Sequence, residues 1–179
     1  MIALDRLDYH ASEKNLSEVA GAPNYKFVQG DLRELRLLTY LIKTEKVDTI
    51  LNLAHQNAYS GSPAEYVNDN LVGSHALAEA ARLAGSQIKL LLHASSDEVY
   101  GPEKEDEAGE VEAAGGVNED RTLNPITPFA AAKAGAECVV KSFHRSYKVP
   151  IIITRASDTY GPRCTSTLPC ARSESLEPC

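Results

Sequence analysis

The stretch Leu90-Leu-Leu-His-Ala-Ser-Ser-Asp-Glu-Val-Tyr-Gly101 decides the fold. Its apolar first half is typical of a buried strand, and it ends abruptly in two hydroxyls, two adjacent acids, an aromatic residue and a glycine. In an open parallel sheet, ligands bind outside the carboxyl ends of the strands. A site is therefore expected at the polar end, although this pattern alone also fits a strand followed by a solvated turn.

Strand-like and helical segments alternate on both sides of this stretch. Apolar or β-branched runs predict five strands, at 1–4, 25–28, 47–53, 88–94 and 150–154. Helical spacing and capping residues predict four helices, at 12–19, after Asp31 as the cap, at 62–83 and at 127–147. The alternation predicts an α/β fold built from βαβ units around a parallel sheet.

The composition indicates a globular protein of one domain. Its 179 residues carry a net charge of -7, which argues against a general nucleic-acid binder and against binding to an anionic membrane surface. No apolar run approaches the length of a membrane span, and no signal peptide precedes the first strand. The four cysteines have neither zinc spacing nor a disulfide framework. We therefore expect a cytoplasmic protein without a metal site.

Three groups of residues could carry chemistry. Asp5 follows the first strand, where an acid can bind an adenosine ribose and favour NAD over NADP. Phe129 and Lys133 lie one helical turn apart, where a Tyr-x-x-x-Lys pair would remove a hydroxyl proton. Asp97 and Glu98 could act as acid and base if the turn brings both into one cleft. Each also has a structural explanation as a solvated surface residue.

Five motifs occur in order between residues 2 and 162. They are Asp5-Arg-Leu-Asp-Tyr9 with Lys14-Asn-Leu16, Gln29-Gly-Asp-Leu32, Asn70-Leu-Val-Gly-Ser74, Ser95-Ser-Asp-Glu-Val-Tyr-Gly101 and Thr154-Arg-Ala-Ser-Asp-Thr-Tyr-Gly-Pro162. Together they resemble motifs of the extended short-chain dehydrogenase/reductase family and, within it, of the dTDP-glucose 4,6-dehydratases. The fourth motif is similar to the dehydratase sequence Ser-Thr-Asp-Glu-Val-Tyr-Gly. Each motif is weak alone, whereas five in order are specific.

The resemblance implies a Rossmann-like doubly wound sheet, NAD as cofactor and a nucleotide sugar such as dTDP-glucose as substrate. In the implied reaction, sugar C4 is oxidised, water is eliminated across C5 and C6, and C6 is then reduced. Glu98 would take the C5 proton, Asp97 would protonate the departing C6 hydroxyl, and Ser96 would bind the C4 oxygen. Sugar epimerases and decarboxylases of the same family remain an alternative, although the epimerases generally lack the Asp-Glu pair.

The resemblance also assigns binding residues. The implied NAD contacts are Asp5, Arg6, Leu7, Asp31, Leu32, Leu53, Ala54, Asn70 and Lys133. The implied substrate contacts are Ser96, Asn57 and Asp158.

The chain also departs from the family pattern. Phe129 stands where the catalytic tyrosine is expected, Asn57 where a histidine is expected, and Asp158 where an asparagine is expected. The glycine-rich G-x-x-G-x-x-G turn is absent from these residues. We therefore expect an incomplete fold in which the first βα unit and the C-terminal substrate domain are missing. Residues 1–162 would form a partial NAD(P)-binding domain, and residues 163–179 an unstructured, divergent tail.

Three hypotheses follow from these departures. The chain could be an active NAD-dependent dehydratase, although the missing tyrosine predicts impairment. It could be a non-catalytic relative that forms a homodimer through the helices at 62–83 and 127–147, the pair that family members use for this purpose. It could also be a truncated product that does not fold stably.

Overall fold

The computed structural model describes residues 1–8, 11–56, 61–102 and 117–157. Within these ranges, five strands and four α-helices alternate along the chain. The strands are β1 (Ile2–Asp5), β2 (Lys26–Gln29), β3 (Thr49–Asn52), β4 (Leu90–Ser96) and β5 (Ile151–Ala156). The helices are α1 (Leu35–Thr44), α2 (Pro63–Glu65), α3 (Gly73–Ala84) and α4 (Pro128–Tyr147). The predicted α/β alternation is confirmed.

Helix α4 begins and ends where the sequence predicts. The Thr127 hydroxyl accepts a hydrogen bond from the backbone N–H of Ala130, and Pro128 occupies the first turn, where its missing N–H costs nothing. Lys148 ends the helix in the left-handed conformation, with φ of 60°. This cap fixes the position of every side chain that α4 presents to the strands.

The predicted helix at 62–83 consists of three segments. Ser62 and Glu65 form a capping box at the start of α2, and Gly85 ends α3 with φ of 60°. Between α2 and α3 lies a π-helix, Tyr66–Val72. π-Helical turns are uncommon and often occur at functional sites.

Two predictions in the first half of the chain are wrong. The helix expected at 12–19 is only a 3-10 turn, Glu13–Leu16, which the Ser12 hydroxyl caps. Asp31 does not cap α1, whose N-cap residue is Glu34. The Asp31 carboxylate instead accepts hydrogen bonds from the backbone and guanidinium of Arg33, which hold a turn ahead of the helix.

The five strands form two separate parallel sheets, β1-β2 and β3-β4-β5. A doubly wound fold has the strand order 3-2-1-4-5-6. The observed strands fit positions 3, 2, 4, 5 and 6 of that order, and among the described residues no strand occupies position 1 between β1 and β3. The expected Rossmann-like parallel fold is therefore confirmed, and its first βα unit is absent from the described residues.

The helices cover one face of these sheets. Buried side chains of α1, α3 and α4, among them Leu38, Leu77 and Val140, form one core with Leu91 of β4. On the opposite face, Leu51, Leu92 and Ile152 lie in one row across β3, β4 and β5. Leu51 is 61% exposed and Ile152 is 52% exposed, although parallel sheets are usually covered on both faces.

Candidate active site and cofactor cavity

The acid pair lies at the end of β4, as the sequence predicts. Ser96 ends the strand, and a 3-10 helix, Asp97–Tyr100, follows at once. The Ser96 hydroxyl accepts a hydrogen bond from the backbone N–H of Glu98 at 3.2 Å and donates one to Oδ1 of Asp97 at 3.2 Å. Asp97 and Glu98 are both exposed and both line one cavity of about 1040 Å³. The turn therefore brings the two acids into one cleft.

The turn is fixed where it leaves the site. The backbone carbonyl of Val99 accepts a hydrogen bond from the N–H of Asn124 at 3.0 Å. Gly101 has φ of 73°, and a Cβ atom there would lie 2.1 Å from the backbone oxygen of Asn124. Only glycine fits this conformation and this close approach without strain. We refer to Ser95–Gly101 as the acid turn.

The first turns of α4 lie beside the acid turn. The Thr127 hydroxyl, which caps α4, lies 3.5 Å from Oε2 of Glu98. Lys133 is buried, and its Nζ donates a hydrogen bond to the backbone oxygen of Ala94 at 2.7 Å. Burial lowers the pKa of Lys133 to about 8, although the charge of Glu137 partly opposes this shift. Lys133 is therefore a buried residue beside β4 rather than a solvated helix lysine.

Phe129 lies in an aromatic cluster beside Lys133. Its ring is buried and packs edge-on against Tyr66, with 5.8 Å between the ring centroids. The His55 ring is 6.2 Å from the Phe129 ring. A benzyl side chain cannot donate, accept or titrate, so this position cannot supply the proton acceptor that the resemblance implies.

His55 is a site residue that the sequence motifs did not predict. Although His55 retains an exposed edge, loss of solvent around its ring and then the charge of Lys133 lower its pKa. Its Nδ1 lies 3.1 Å from the backbone oxygen of Leu53. The signal in the sequence was a titratable side chain in the loop directly after a predicted strand, two positions before Asn57.

A second cavity, of about 610 Å³, lies between the two sheets at their carboxyl ends. Six of the residues assigned to NAD line it, namely Asp5, Arg6, Asp31, Leu32, Leu53 and Ala54. Asp5 accepts a hydrogen bond from the backbone N–H of Leu7 at 2.7 Å, and Leu7 adopts φ of 61°. The structure thus brings the predicted cofactor residues of β1, β2 and β3 together.

A network of charges forms one wall of this cavity. The Arg6 guanidinium donates two hydrogen bonds to the Asp69 carboxylate, at 2.9 and 2.7 Å. These bonds, together with a hydrogen bond to Asp8, raise the pKa of Arg6. Hydrogen bonds from Arg33 lower the pKa of Asp31. The π-helix turns Asp69 toward Arg6, which joins the end of β1 to the helices.

Asn70, the next residue of the π-helix, is buried behind the cavity. Its Oδ1 accepts a hydrogen bond from the backbone N–H of Gln56 at 2.6 Å, which holds the loop after β3. Two predicted substrate residues, Asn57 and Asp158, lie outside the described residues, as does the predicted tail at 163–179.

The residues present fit part of NAD. The cavity beside Asp5 and Asp31 offers an exposed carboxylate at a strand end, which suits the two hydroxyls of an adenosine ribose. A pyrophosphate needs backbone N–H groups at a helix N-terminus, supplied by a glycine-rich turn. The residues that line the cavity suit the adenosine end, and none of the described residues forms a glycine-rich turn beside it.

Metal clusters and membrane-spanning helices are both absent from the part of the chain that the structure describes. No group of three or more histidine, cysteine, aspartate or glutamate residues there could hold a metal ion. None of the helices in these ranges is long and apolar enough to cross a membrane.

Comparison with known proteins identifies the family. A sequence model of the family described as GDP-mannose 4,6 dehydratase matches residues 1–172. The chain belongs to this family. Membership confirms the resemblance to the extended short-chain dehydrogenases and to the dTDP-glucose 4,6-dehydratases that the five motifs predicted.

Individual relatives are similar over most of the chain. It is 42% identical over 165 residues to a trifunctional UDP-glucose 4,6-dehydratase/epimerase/reductase of Arabidopsis thaliana, covering 90% of this chain and 24% of that protein. It is 38% identical over 165 residues to the dTDP-D-glucose 4,6-dehydratase of Homo sapiens, covering 90% of this chain and 44% of the relative.

A solved structure gives the same result for the fold. The dTDP-glucose 4,6-dehydratase of Bacillus anthracis, in complex with NAD, superposes with a TM-score of 0.79 at 31% identity. The match covers 92% of this chain and 48% of that enzyme. The chain therefore spans less than half the length of each of these three relatives.

Proposed function

We propose that this chain is a nucleotide-sugar 4,6-dehydratase-like protein that keeps the elimination half of the reaction and is impaired in its redox half. The observation that carries the proposal is the acid turn, where Asp97 and Glu98 line one cavity and Oε2 of Glu98 lies 3.5 Å from the Thr127 hydroxyl that caps α4. Support for the substrate class comes from the relatives, which are named as dehydratases of dTDP-glucose and UDP-glucose.

The proposed chemistry begins with a 4-keto sugar. The ketone acidifies the C5 proton, and the Glu98 carboxylate takes it, so that the C5–H electron pair forms an enolate. The enolate expels the C6 hydroxyl, which Asp97 protonates, and water leaves. Ser96 holds the C4 oxygen. Paired carboxylates in different surroundings are suited to these separate base and acid roles.

NAD is the cofactor implied for the redox steps. Asp5, Arg6, Leu7, Asp31, Leu32, Leu53 and Ala54 would hold its adenosine half, with Asn70 supporting the loop after β3 and Lys133 near the reacting end. When bound, NAD would accept hydride from C4 and return it to C6.

The redox half is impaired at two places. Phe129 cannot take the C4 hydroxyl proton, and loss of a general base typically costs about 10²–10⁴-fold in rate. The second place is the pyrophosphate site, since none of the described residues forms a glycine-rich turn beside the cavity. Asn57 and Asp158 are proposed sugar contacts that differ from the family pattern.

The proposed organisation is a partial NAD(P)-binding domain at 1–162, followed by a divergent tail at 163–179. A homodimer through the helices at 62–83 and 127–147 is the proposed assembly. It is supported by apolar side chains that these helices expose, since Val67 is 48%, Leu83 46% and Tyr147 58% exposed. The same surface supports the second candidate function, a non-catalytic relative that pairs with itself or with a longer family member.

The elimination half can be tested without the cofactor. Glu98 should exchange the C5 proton of dTDP-4-keto-6-deoxyglucose for deuterium from D2O, which proton NMR measures directly. E98Q should lose this exchange, whereas the matched variant D97N should keep it, because Asp97 acts only on the C6 oxygen. No exchange above the E98Q background in the unmodified chain would refute the proposal.

A further inference from the structure

A buried ion pair lies directly behind the acid turn. Glu137 of α4 is 0% exposed, and its two carboxylate oxygens accept hydrogen bonds from Nε and Nη2 of Arg155 at 2.9 and 2.7 Å. Lys141 donates a third hydrogen bond at 3.0 Å. Bidentate pairs of this kind fix geometry as well as charge.

Arg155 also reaches the acid turn itself. Its Nη1 donates a hydrogen bond to the hydroxyl of Tyr100 at 2.6 Å, and its guanidinium carbon lies 4.7 Å from the centre of the Tyr100 ring. Tyr100 is the last residue of the 3-10 helix that carries Asp97 and Glu98. The same Nη1 donates to the backbone oxygen of Glu119.

The register of the sheet places the Arg155–Glu137 ion pair next to both ends of the acid turn. Arg155 of β5 pairs with Ser95 of β4, the residue before Ser96. The buried Ser95 hydroxyl also faces the Glu137 carboxylate. Unlike Arg155 and Lys141, it does not have the geometry of a hydrogen bond to that carboxylate. The ion pair thus touches the start of the acid turn through Ser95 and its end through Tyr100.

The charges of this cluster stay in place over a wide pH range. Burial would raise the pKa of Glu137, but the hydrogen bonds from Arg155 and Lys141 outweigh it and lower the pKa to about 2. The hydrogen bonds that Arg155 donates to Glu137 and to Tyr100 raise the pKa of Arg155.

We propose that Arg155 and Glu137 are positioning residues that hold Asp97 and Glu98 in place through Tyr100 and Ser95. Whether this positioning aids catalysis rests on the proposed function. The contacts that hold the acid turn do not depend on it. A buried charge pair is a weak source of net stability, because desolvation offsets its attraction. Its contribution here is a fixed orientation of a turn whose functional side chains are exposed.

Y100F is the sharpest test because it removes one hydroxyl and keeps the ring against the guanidinium. R155K keeps the positive charge for Glu137 but loses the planar fork. Y147F is the matched control, since Tyr147 is 58% exposed on α4 and its ring contact with Arg82 survives in phenylalanine.

The first measurement is backbone amide hydrogen exchange, followed by mass spectrometry without ligand. Amides of the acid turn should exchange about tenfold faster in Y100F and faster still in R155K, since a hydrogen bond from a charged group is lost. Amides of β3 should not change, and Y147F should match the unmodified chain. Equal exchange in all four proteins would overturn the proposal.

The second measurement is the Glu98-dependent C5 exchange of the keto sugar. Y100F should lower its kcat about tenfold and change its KM by less than about twofold, a division that a general loss of stability would not give. Faster amide exchange with an unchanged kcat would refute the positioning role. If the unmodified chain shows no C5 exchange, the proposed function fails, and amide exchange alone then decides whether Arg155 braces the turn.

Discussion

The acid turn and the cofactor side differ in how completely the chain builds them. Ser95–Gly101 is held by a buried ion pair, by the backbone of Asn124 and by the cap of α4. The cofactor side has a cavity between two sheets that no strand joins among the described residues, and Phe129 in place of a titratable side chain. The difference shows that the acid turn is braced from several sides, whereas the described residues form the cavity between the two sheets less completely.

The largest expected effect lies at the support of the acid turn. Glu137→Ala leaves Arg155 buried without its partner, which typically costs about 3–5 kcal/mol of unfolding free energy. Urea denaturation of the variant measures this loss. The control is Lys89→Ala, which breaks an exposed ion pair with Asp48 and should leave the transition unchanged. Equal transitions for both variants would contradict the distinction between the buried and the exposed pair.

The same carboxylate predicts an acid-dependent loss of stability. The folded-state pKa of Glu137 is about 2, below its value of about 4.3 in an unfolded chain. Its contribution is therefore complete above about pH 5 and is lost as the pH falls toward 2. Urea titrations between pH 6 and 3 should show a smaller pH dependence in E137Q than in the unmodified chain. An identical dependence would show that Glu137 is not the group responsible.

A smaller effect is expected at Gly101. Gly101→Ala forces a Cβ atom to 2.1 Å from the Asn124 oxygen at φ of 73°, and such strain costs about 2 kcal/mol. Gly85→Ala is the control, because its φ of 60° also strains the backbone of an L residue but nothing lies within 4 Å of the added Cβ atom, so a smaller cost than at Gly101 is expected. Thermal unfolding of both variants gives the comparison. A Gly101 variant no less stable than the Gly85 variant would show that the acid turn is not rigid.

The redox side should not respond to a single repair. The unmodified chain should form no 4-keto-6-deoxy product from dTDP-glucose and NAD, and Phe129→Tyr should restore none. The tyrosine would return a base but not a pyrophosphate site. Product analysis by mass spectrometry tests both proteins. Turnover by Phe129→Tyr alone would locate the whole impairment at that position.

The smallest signal is expected from NAD itself. An adenosine cavity without N–H donors for the pyrophosphate should give weak or undetectable binding, which isothermal titration calorimetry measures. Asp5→Ala is the control for any heat observed, since it removes the proposed ribose ligand. Micromolar affinity in the unmodified chain would contradict an impaired cofactor side.

Local signals in the sequence were sufficient for the second half of the fold. The Thr127-Pro128 cap and the Ser62 capping box involve only residues close together in the sequence. Both helices therefore begin as predicted. The helix predicted at 12–19 does not form, and the chain makes only one 3-10 turn there. No residue of this turn is buried, so packing does not stabilise a longer helix.

The candidate site was predicted in part. The acid pair and Lys133 were identified from motifs, and the structure places them beside one strand end. The support from Glu137, Arg155 and Tyr100 could not be predicted, because it depends on the register of β4 and β5 rather than on spacing along the chain. His55 was missed for a similar reason, since only packing reveals its proximity to Phe129.

We propose that the chain can still remove the C5 proton of a 4-keto sugar although its hydride-transfer steps are impaired. The most direct test is the C5 exchange of dTDP-4-keto-6-deoxyglucose in D2O without added NAD. We expect deuterium at C5 with the unmodified chain and with D97N, and only background exchange with E98Q. Background exchange in all three proteins would contradict the claim.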